Sequence, residues 1–389
     1  MASGVDSFLG ERLSQARKAR GLMSISLAEL ADVSQATISL YEKGTQKPRQ
    51  ETLDRLAVVL KLPVSYFITQ IEVDTPERLF YRSMSAATKA SRERAESKYE
   101  WYLEIVDYLL HFFDFPEPNI PDLDVPSDFR SLDNKTIDSI AERLRQFWLL
   151  GEGPIVNMVR TLESNGIVVW RTALGAKTLD AFSDITKSRK HPVVVLSSDK
   201  ENYFRSRADA AHELGHLILH STVDKKTLST TSEFKLLENQ ANYFAGSFLL
   251  PAASYEKDLS SYTLETYRAL KPKWNTSIAM QVMRSKQLNL IDENQAKRLW
   301  INLSRRGWKK REPLDDSISA EFPSLVPDGI KMLIDEGVKT PEQIQLDLNK
   351  YYSDIEILCN LKEGFLNTKD IAPKVKLKKR NDNITPFRR

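Results

Sequence analysis

Residues 210–220 read AAHELGHLILH and hold three of the chain's five histidines, His212, His216 and His220. In a helix each residue advances about 1.5 Å and turns about 100°, so His212 and His216 stand one above the other on a single face. Glu213 projects one step around. This is the H-E-x-x-H arrangement, in which two imidazoles bind Zn²⁺ and the glutamate acts on water as general base. The plain alternative is a structural histidine pair beside an unrelated glutamate. A catalytic zinc needs a third protein ligand and an open position. The longer pattern with Gly at 219 and His at 222 is excluded, because Leu219 and Thr222 stand there. His220 lies a further turn along and cannot converge on one ion with the other two on a straight helix, so a structural or supporting role is expected for it.

The better candidate for the third ligand is Glu238, in EFKLLENQANYFAGSFLLP (233–251). Leu237, Ala241, Phe244, Ala245 and Phe248 suit a helix packed on the first, and Pro251 stops it. Glu238 comes 22 residues after His216, room for a loop and a return. A His-His-Glu site with a separate catalytic Glu is the gluzincin arrangement, with Mn²⁺ as the alternative metal. Glu233 is the competing carboxylate. Tyr243 and His220 are near in sequence to any oxyanion, and neither is assigned that role.

Upstream, residues 135–164 read as helical, and IVVW (167–170), LDAFSDI (179–185) and PVVVLSS (192–198) as three strands. From 203 to about 305 the pattern is helical again. The fold class is therefore α+β, predominantly helical, with a small three-stranded sheet. Residues 78–113 read as a pair of amphipathic helices. Pro116, Pro118, Pro121 and Pro126 mark 112–126 as a linker.

Residues 8–68 read as a five-helix module. Within SISLAELADVSQATISLYEKG (24–44), two short helices are separated near Asp32-Val33, and Ser34 sits where an N-cap belongs. Ile38 and Tyr41 face inward, leaving Gln35, Ala36, Thr37 and Ser39 outward, where a helix-turn-helix meets base edges. With Ser24, Ser34 and Lys43 they form the candidate DNA contacts. A helix-turn-helix used only for dimerisation or protein contact is the alternative.

Over about 60 residues this module resembles the Cro/phage-repressor (XRE) family, through ERLSQARKARGL (11–22), LAELA (27–31), VSQATIS (33–39), Pro48, TLDRLAVVL (52–60) and VSYF (64–67). It departs at Ser24, where the family has a phosphate-contacting Gln, and at Asp32, where it has Gly. Roughly 135–320 resembles the ImmA/IrrE zinc peptidases. That likeness runs through RQFWLLGEGPIVNMVRTLESNGIVV (145–169), RSRADAAHELGHLILH (205–220), ENQANYFAGSFLLP (238–251), LKPKWNTSIAMQVMRSKQLNLI (270–291) and SRRGWKKREPL (304–314). The resemblance places the third ligand on Glu238. It implies cleavage of a Cro-type repressor in trans, self-cleavage, or a toxin or phage-defence peptidase whose DNA-binding domain autoregulates its operon. The partners implied are double-stranded operator DNA and a repressor or antitoxin, with a homodimer expected from paired half-sites. The rival reading is a ligand-responsive transcription factor that keeps the peptidase fold as a sensor.

Composition sets the frame. The 389 residues call for several domains, expected as 1–70 (helix-turn-helix), 71–130 (helices and linker), 131–255 (peptidase core), 256–325 (its helical part) and 326–389 (accessory helices and tail). In the accessory segment, Ile330, Leu333 and Ile334, then Ile344, Leu346 and Leu348, mark further helix over 320–370, expected to pack on the peptidase, hold a partner or dimerise. Cys359 is the sole cysteine, which excludes disulfides within the chain and thiolate zinc sites. No secretory leader and no run of 18 apolar residues is present, so a cytoplasmic protein without membrane spans is expected. Residues 371–389 carry a local +6 against +3 for the whole chain, leaving −3 elsewhere. Such a tail is either a solvated end or a weak nucleic-acid contact.

Overall fold

The computed structural model of the chain describes residues 4–71, 88–175, 180–184, 189–200, 202–223 and 230–367. The basic tail and the start of the expected 78–113 helix pair lie outside the described residues. No helix among them is long and apolar enough to cross a membrane.

The amino-terminal module is built from α1 (Gly10–Ala19), α2 (Ser24–Leu30), α3 (Gln35–Glu42) and α4 (Gln50–Leu60), closed by a fifth, 3-10 helix at Val64–Ile68. Asp32 ends the turn after α2 at φ 54°, the left-handed conformation that explains a family preference for Gly there. Leu13, Leu27, Ile38, Leu53 and Leu56 fill the core at helical spacing.

One long helix, α5 (Lys89–Leu110), follows, rather than two over its described residues. It carries apolar and aromatic side chains on opposite sides. On one, Trp101 Nε1 donates to Tyr66 Oη at 2.8 Å and Gln15 Nε2 donates to Glu100 at 2.8 Å, tying α5 to the amino-terminal module. On the other, Tyr99 and Tyr102 stack on Trp170 with centroids 6.2 and 4.8 Å away. The expected linker is packed rather than loose: Phe115 and Leu123 are buried, and Trp148 Nε1 donates to the Asn119 carbonyl at 2.7 Å.

The expected 135–164 helix is two, α6 (Asn134–Phe147) and α7 (Met158–Ser164), parted by a loop in which Leu149 and Gly151 hold positive φ. The strands β1 (Val168–Thr172), β2 (Ala181–Asp184) and β3 (Val193–Ser197) form a sheet ordered β1-β3-β2, with β1 parallel and β2 antiparallel to β3. Every residue of the three is buried, because helices cover both faces. Alternation divides them: Val168, Trp170, Phe182, Val193 and Val195 join the core of α5 and the amino-terminal module, while Val169, Ala181, Val194 and Leu196 join a second core.

That second core lies under α8 (Tyr203–Leu219) and α9 (Thr231–Leu249). Gly215 sits at their closest approach. A Cβ there would come within 3.1 Å of the Phe244 ring and 3.2 Å of the Ala241 backbone, so a larger residue would press α9 away from α8 by a few tenths of an ångström. The short α10 (Ala252–Asp258) leads to α11 (Leu264–Trp274), α12 (Ile278–Gln287) and α13 (Glu293–Arg305), which share a third core.

The accessory helices α14 (Leu325–Asp335), α15 (Pro341–Leu348) and α16 (Tyr352–Leu358) turn back to the first core, not away from the body. Arg20 grips Asp354 through two nitrogens at 2.6 and 2.7 Å, and Trp170 Nε1 donates to the Leu358 carbonyl at 2.9 Å. The expected helical segment is present, with Leu346 71% exposed. In the two turns of α15, Ile344 and Leu348 share a face at i, i+4, which sends i+2 outward.

Candidate metal centre and nucleic-acid interface

α8 is capped by Asn202, whose side chain accepts from the Arg205 amide at 2.9 Å, and runs for 17 residues without a break. His212 and His216 therefore hold the one-turn spacing expected of them. The neighbouring α9 places Glu238 beside both. His212 Nε2 and His216 Nε2 are 3.1 Å apart, and the Glu238 carboxylate lies 3.5 Å from the first through Oε2 and 3.3 Å from the second through Oε1. For zinc bonded at about 2.0–2.1 Å, tetrahedral angles require neighbouring ligand atoms about 3.3–3.4 Å apart. The three observed separations bracket that value, and among the described residues this is the one cluster of metal-ligating groups of that kind. Two imidazole nitrogens turned toward each other with a carboxylate alongside need a cation or a shared proton between them, so the donor set fits a divalent metal.

Glu233, the competing carboxylate, is elsewhere and pairs with Arg130. Glu213 lies on the flank of the His212–His216 face, buried, and accepts from Ser183 Oγ at 2.7 Å. A cavity of about 290 Å³ opens there, lined by Asp180, Ala181, Asp209, His212, Glu213, Glu238, Asn242 and Met280. Burial pushes Glu213 up to about 7 and Asp209 up to about 6. Burial would lower His212, but its hydrogen bond to Glu238 and the charge of Glu213 outweigh it and raise the imidazole to about 9. Burial drives His216 down to about 4 against the pull of Glu238. Burial alone would raise Glu238, yet its contacts with the two imidazoles, His212 before His216, hold it well below the ordinary carboxylate range.

His220 is buried behind His216, its Nδ1 2.9 Å from His216 Nδ1. The Tyr243 hydroxyl donates to Asp138 at 2.8 Å. Both candidates for an oxyanion partner are thus turned to other contacts.

In the amino-terminal module, α3 presents its first turn outward. The Ser34 hydroxyl accepts from the Thr37 amide at 3.0 Å and contacts the Thr37 hydroxyl, and Ser39 Oγ donates to the Gln35 carbonyl. These three hydroxyls hold the helix end together. Gln35, Ala36 and Lys43 are exposed, and Gln35 Nε2 donates to Ser24 Oγ at 3.1 Å, which joins the start of α2 to the start of α3. Ser24, Ser34, Gln35, Ala36 and Thr37 gather at the starts of α2 and α3, Ser39 lies a turn further on, and Lys43 caps the far end of α3.

Fold and sites together define a class: a helix-turn-helix module joined to a metallopeptidase-type domain. Residues 13–67 match the helix-turn-helix family model and residues 162–286 the model of the IrrE N-terminal-like domain. Over 92 residues the chain is 33% identical to an uncharacterized transcriptional regulator in the ATPase CF(0) region of Rhodospirillum rubrum, spanning 23% of this chain and 85% of that protein. The chain belongs to the XRE-type helix-turn-helix regulators and carries an ImmA/IrrE-type peptidase domain.

Sequence reasoning did not assign Ser183, Gln240 or Asn242. The last two stand two and four residues after Glu238, on the same helix, and that spacing was the available signal. Ser183 comes 30 residues before Glu213 on β2, and only the sheet brings them together.

Proposed function

We propose that this chain is a DNA-binding zinc metallo-endopeptidase that regulates transcription by cutting a repressor or antitoxin at a defined site. One observation carries the reading: His212, His216 and Glu238 stand at the mutual separations zinc requires, with Glu213 at the edge of the same cavity. His212, His216 and Glu238 would hold the ion, zinc or alternatively Mn²⁺, which when bound supplies Lewis acidity toward water and a scissile carbonyl. Glu213 is the general base. Its carboxylate takes a proton from the attacking water and returns it to the leaving amine. Ser183 occupies Oε2, which leaves Oε1 for the proton. Burial raises its proton affinity, which favours taking a proton from water. At the other end, Gln35, Ala36 and Lys43, with Ser24, Ser34, Thr37 and Ser39 around them, read double-stranded operator DNA as a homodimer on paired half-sites. A cytoplasmic setting and a role in stress response, mobile-element control, toxin–antitoxin systems or phage defence belong to this proposal.

A second reading is a ligand- or metal-responsive regulator whose peptidase-type domain senses without cutting. The shared core of the helix-turn-helix module, α5 and the sheet favours it, since a change at the sheet reaches the DNA-binding module through packed side chains. The test is to incubate wild type and Glu213→Gln, with Zn²⁺ or Mn²⁺, with the repressor or antitoxin encoded beside the protein. Cleavage by wild type alone, with metal bound to both, supports the peptidase. Metal bound to both with no cleavage, and operator affinity that changes with metal, supports the sensor.

A further inference from the structure

We infer that Gln240 and Asn242 are a pair of orienting amides that hold both imidazoles as Nδ1–H tautomers, with Nε2 of each turned to the metal, Gln240 acting through His220. The inference rests on His212, His216 and Glu238 being the metal ligands.

The tautomers follow from the far ends of two hydrogen-bond chains. Gln240 Nε2 faces the carbonyl oxygens of Phe129 and Leu132 at 2.7 and 3.3 Å. Only an N–H can face two acceptors, so the amide orientation is fixed and Oε1 turns to His220 Nε2, 3.0 Å away. His220 must therefore donate from Nε2, and as a neutral ring it accepts at Nδ1. The proton between the two Nδ1 atoms, 2.9 Å apart, then belongs to His216, which leaves His216 Nε2 unprotonated. Asn242 repeats the logic in one step. Its Nδ2 donates to the Glu238 carbonyl at 2.8 Å, so Oδ1 accepts from His212 Nδ1 at 3.2 Å, and the proton that His212 Nε2 shares with Glu238 is the one a metal would displace.

Each position needs one donor and one acceptor on the same side chain, which an amide supplies and an ionised carboxylate or a hydrocarbon does not. The same short stretch of α9 thus delivers a ligand at 238 and two positioning residues at 240 and 242. The third histidine of AAHELGHLILH, excluded from the metal by helix geometry, is the connector. Such partners fix ring orientation and raise ligand basicity, and their loss commonly costs about 10–100-fold in metal affinity.

The experiment uses the full chain, with zinc affinity measured by chelator competition and histidine tautomers read by long-range proton–nitrogen NMR of the zinc-loaded protein. Wild type is expected to bind one zinc, with His212 and His216 as Nδ1–H and His220 as Nε2–H. Gln240→Met is expected to weaken zinc about 10–100-fold and to let His220 populate both tautomers. Asn242→Ala, at an exposed position where water replaces the amide and folding is not at stake, is expected to weaken zinc by a smaller factor. Melting in excess chelator separates a general loss of packing from a loss confined to metal binding. His220 as Nδ1–H in wild type, or zinc affinity unchanged in both variants while His216→Ala abolishes it, would overturn the inference and leave the metal site standing. Wild type that binds no zinc at all removes the metal site and the inference together.

Discussion

The α3 and α8 helices make opposite uses of the same device. Both open with a side-chain cap, Ser34 on the Thr37 amide and Asn202 on the Arg205 amide. α3 then leaves its first turn exposed and settles its hydroxyls within five residues of sequence. α8 instead buries most of its length, where Glu213 accepts from Ser183 on β2, His216 meets Glu238 on α9, and His220 meets Gln240, itself held by the carbonyls of the 129–132 segment. A site that meets an outside molecule through edges can be assembled locally. A site that must hold a charged ion in a dry place needs donors and acceptors from distant segments to replace water.

The largest expected effect that sharpens this contrast is at Glu213. Glu213→Gln should lower cleavage of the co-encoded repressor by about 10²–10⁴-fold, leaving metal stoichiometry and operator affinity at wild-type values. Loss of operator binding in that variant would break the separation of the two sites.

The same substitution has a pH signature. Because burial holds the Glu213 carboxyl at about 7, above its ordinary 4.5, the folded protein binds that proton more tightly than the unfolded chain. The stability it contributes is present below about pH 4.5 and is lost as pH rises through about 7. In chelator, Glu213→Gln should therefore exceed wild type in stability by about 1–3 kcal/mol at pH 8, with the gap closing toward pH 4.5. Denaturant melts across that range check it.

Comparable in size but confined to the other region is Gln35→Ala. It should weaken operator binding by about 1–3 kcal/mol through lost base contacts, with unspecific DNA affinity and zinc affinity unaltered. An equal loss on all DNA sequences would make Gln35 a backbone contact. The smallest effect is at the cap. Ser34→Ala should cost about 1 kcal/mol of stability, measured by melting, because the Thr37 amide loses its acceptor.

The contrast also explains what could be read from the amino acids alone. The helix-turn-helix was legible nearly throughout: the Ser34 cap, the inward Ile38 and Tyr41 and the turn at Asp32 are all decided within ten residues. The two histidines and Glu238 were legible because helical spacing and one helix return fix them. Ser183, which touches Glu213 from 30 residues upstream, was not, and neither were the Phe129 and Leu132 carbonyls that orient Gln240 from 111 and 108 residues away. Such contacts depend on which strand lies at the sheet edge and where the 112–126 stretch packs. That stretch read as a linker on its prolines, yet buried Phe115 and Leu123 pin it to the body.

The central claim is that α8 and α9 together hold one metal ion through two imidazoles and a carboxylate. Zinc content with X-ray absorption at the zinc edge, on wild type and Glu238→Gln, tests it most directly. The expected result is one zinc per chain with two imidazole nitrogens and carboxylate oxygen at about 2.0–2.2 Å, and marked loss of metal in the variant. No zinc in wild type, or an unchanged first shell in Glu238→Gln, would contradict it.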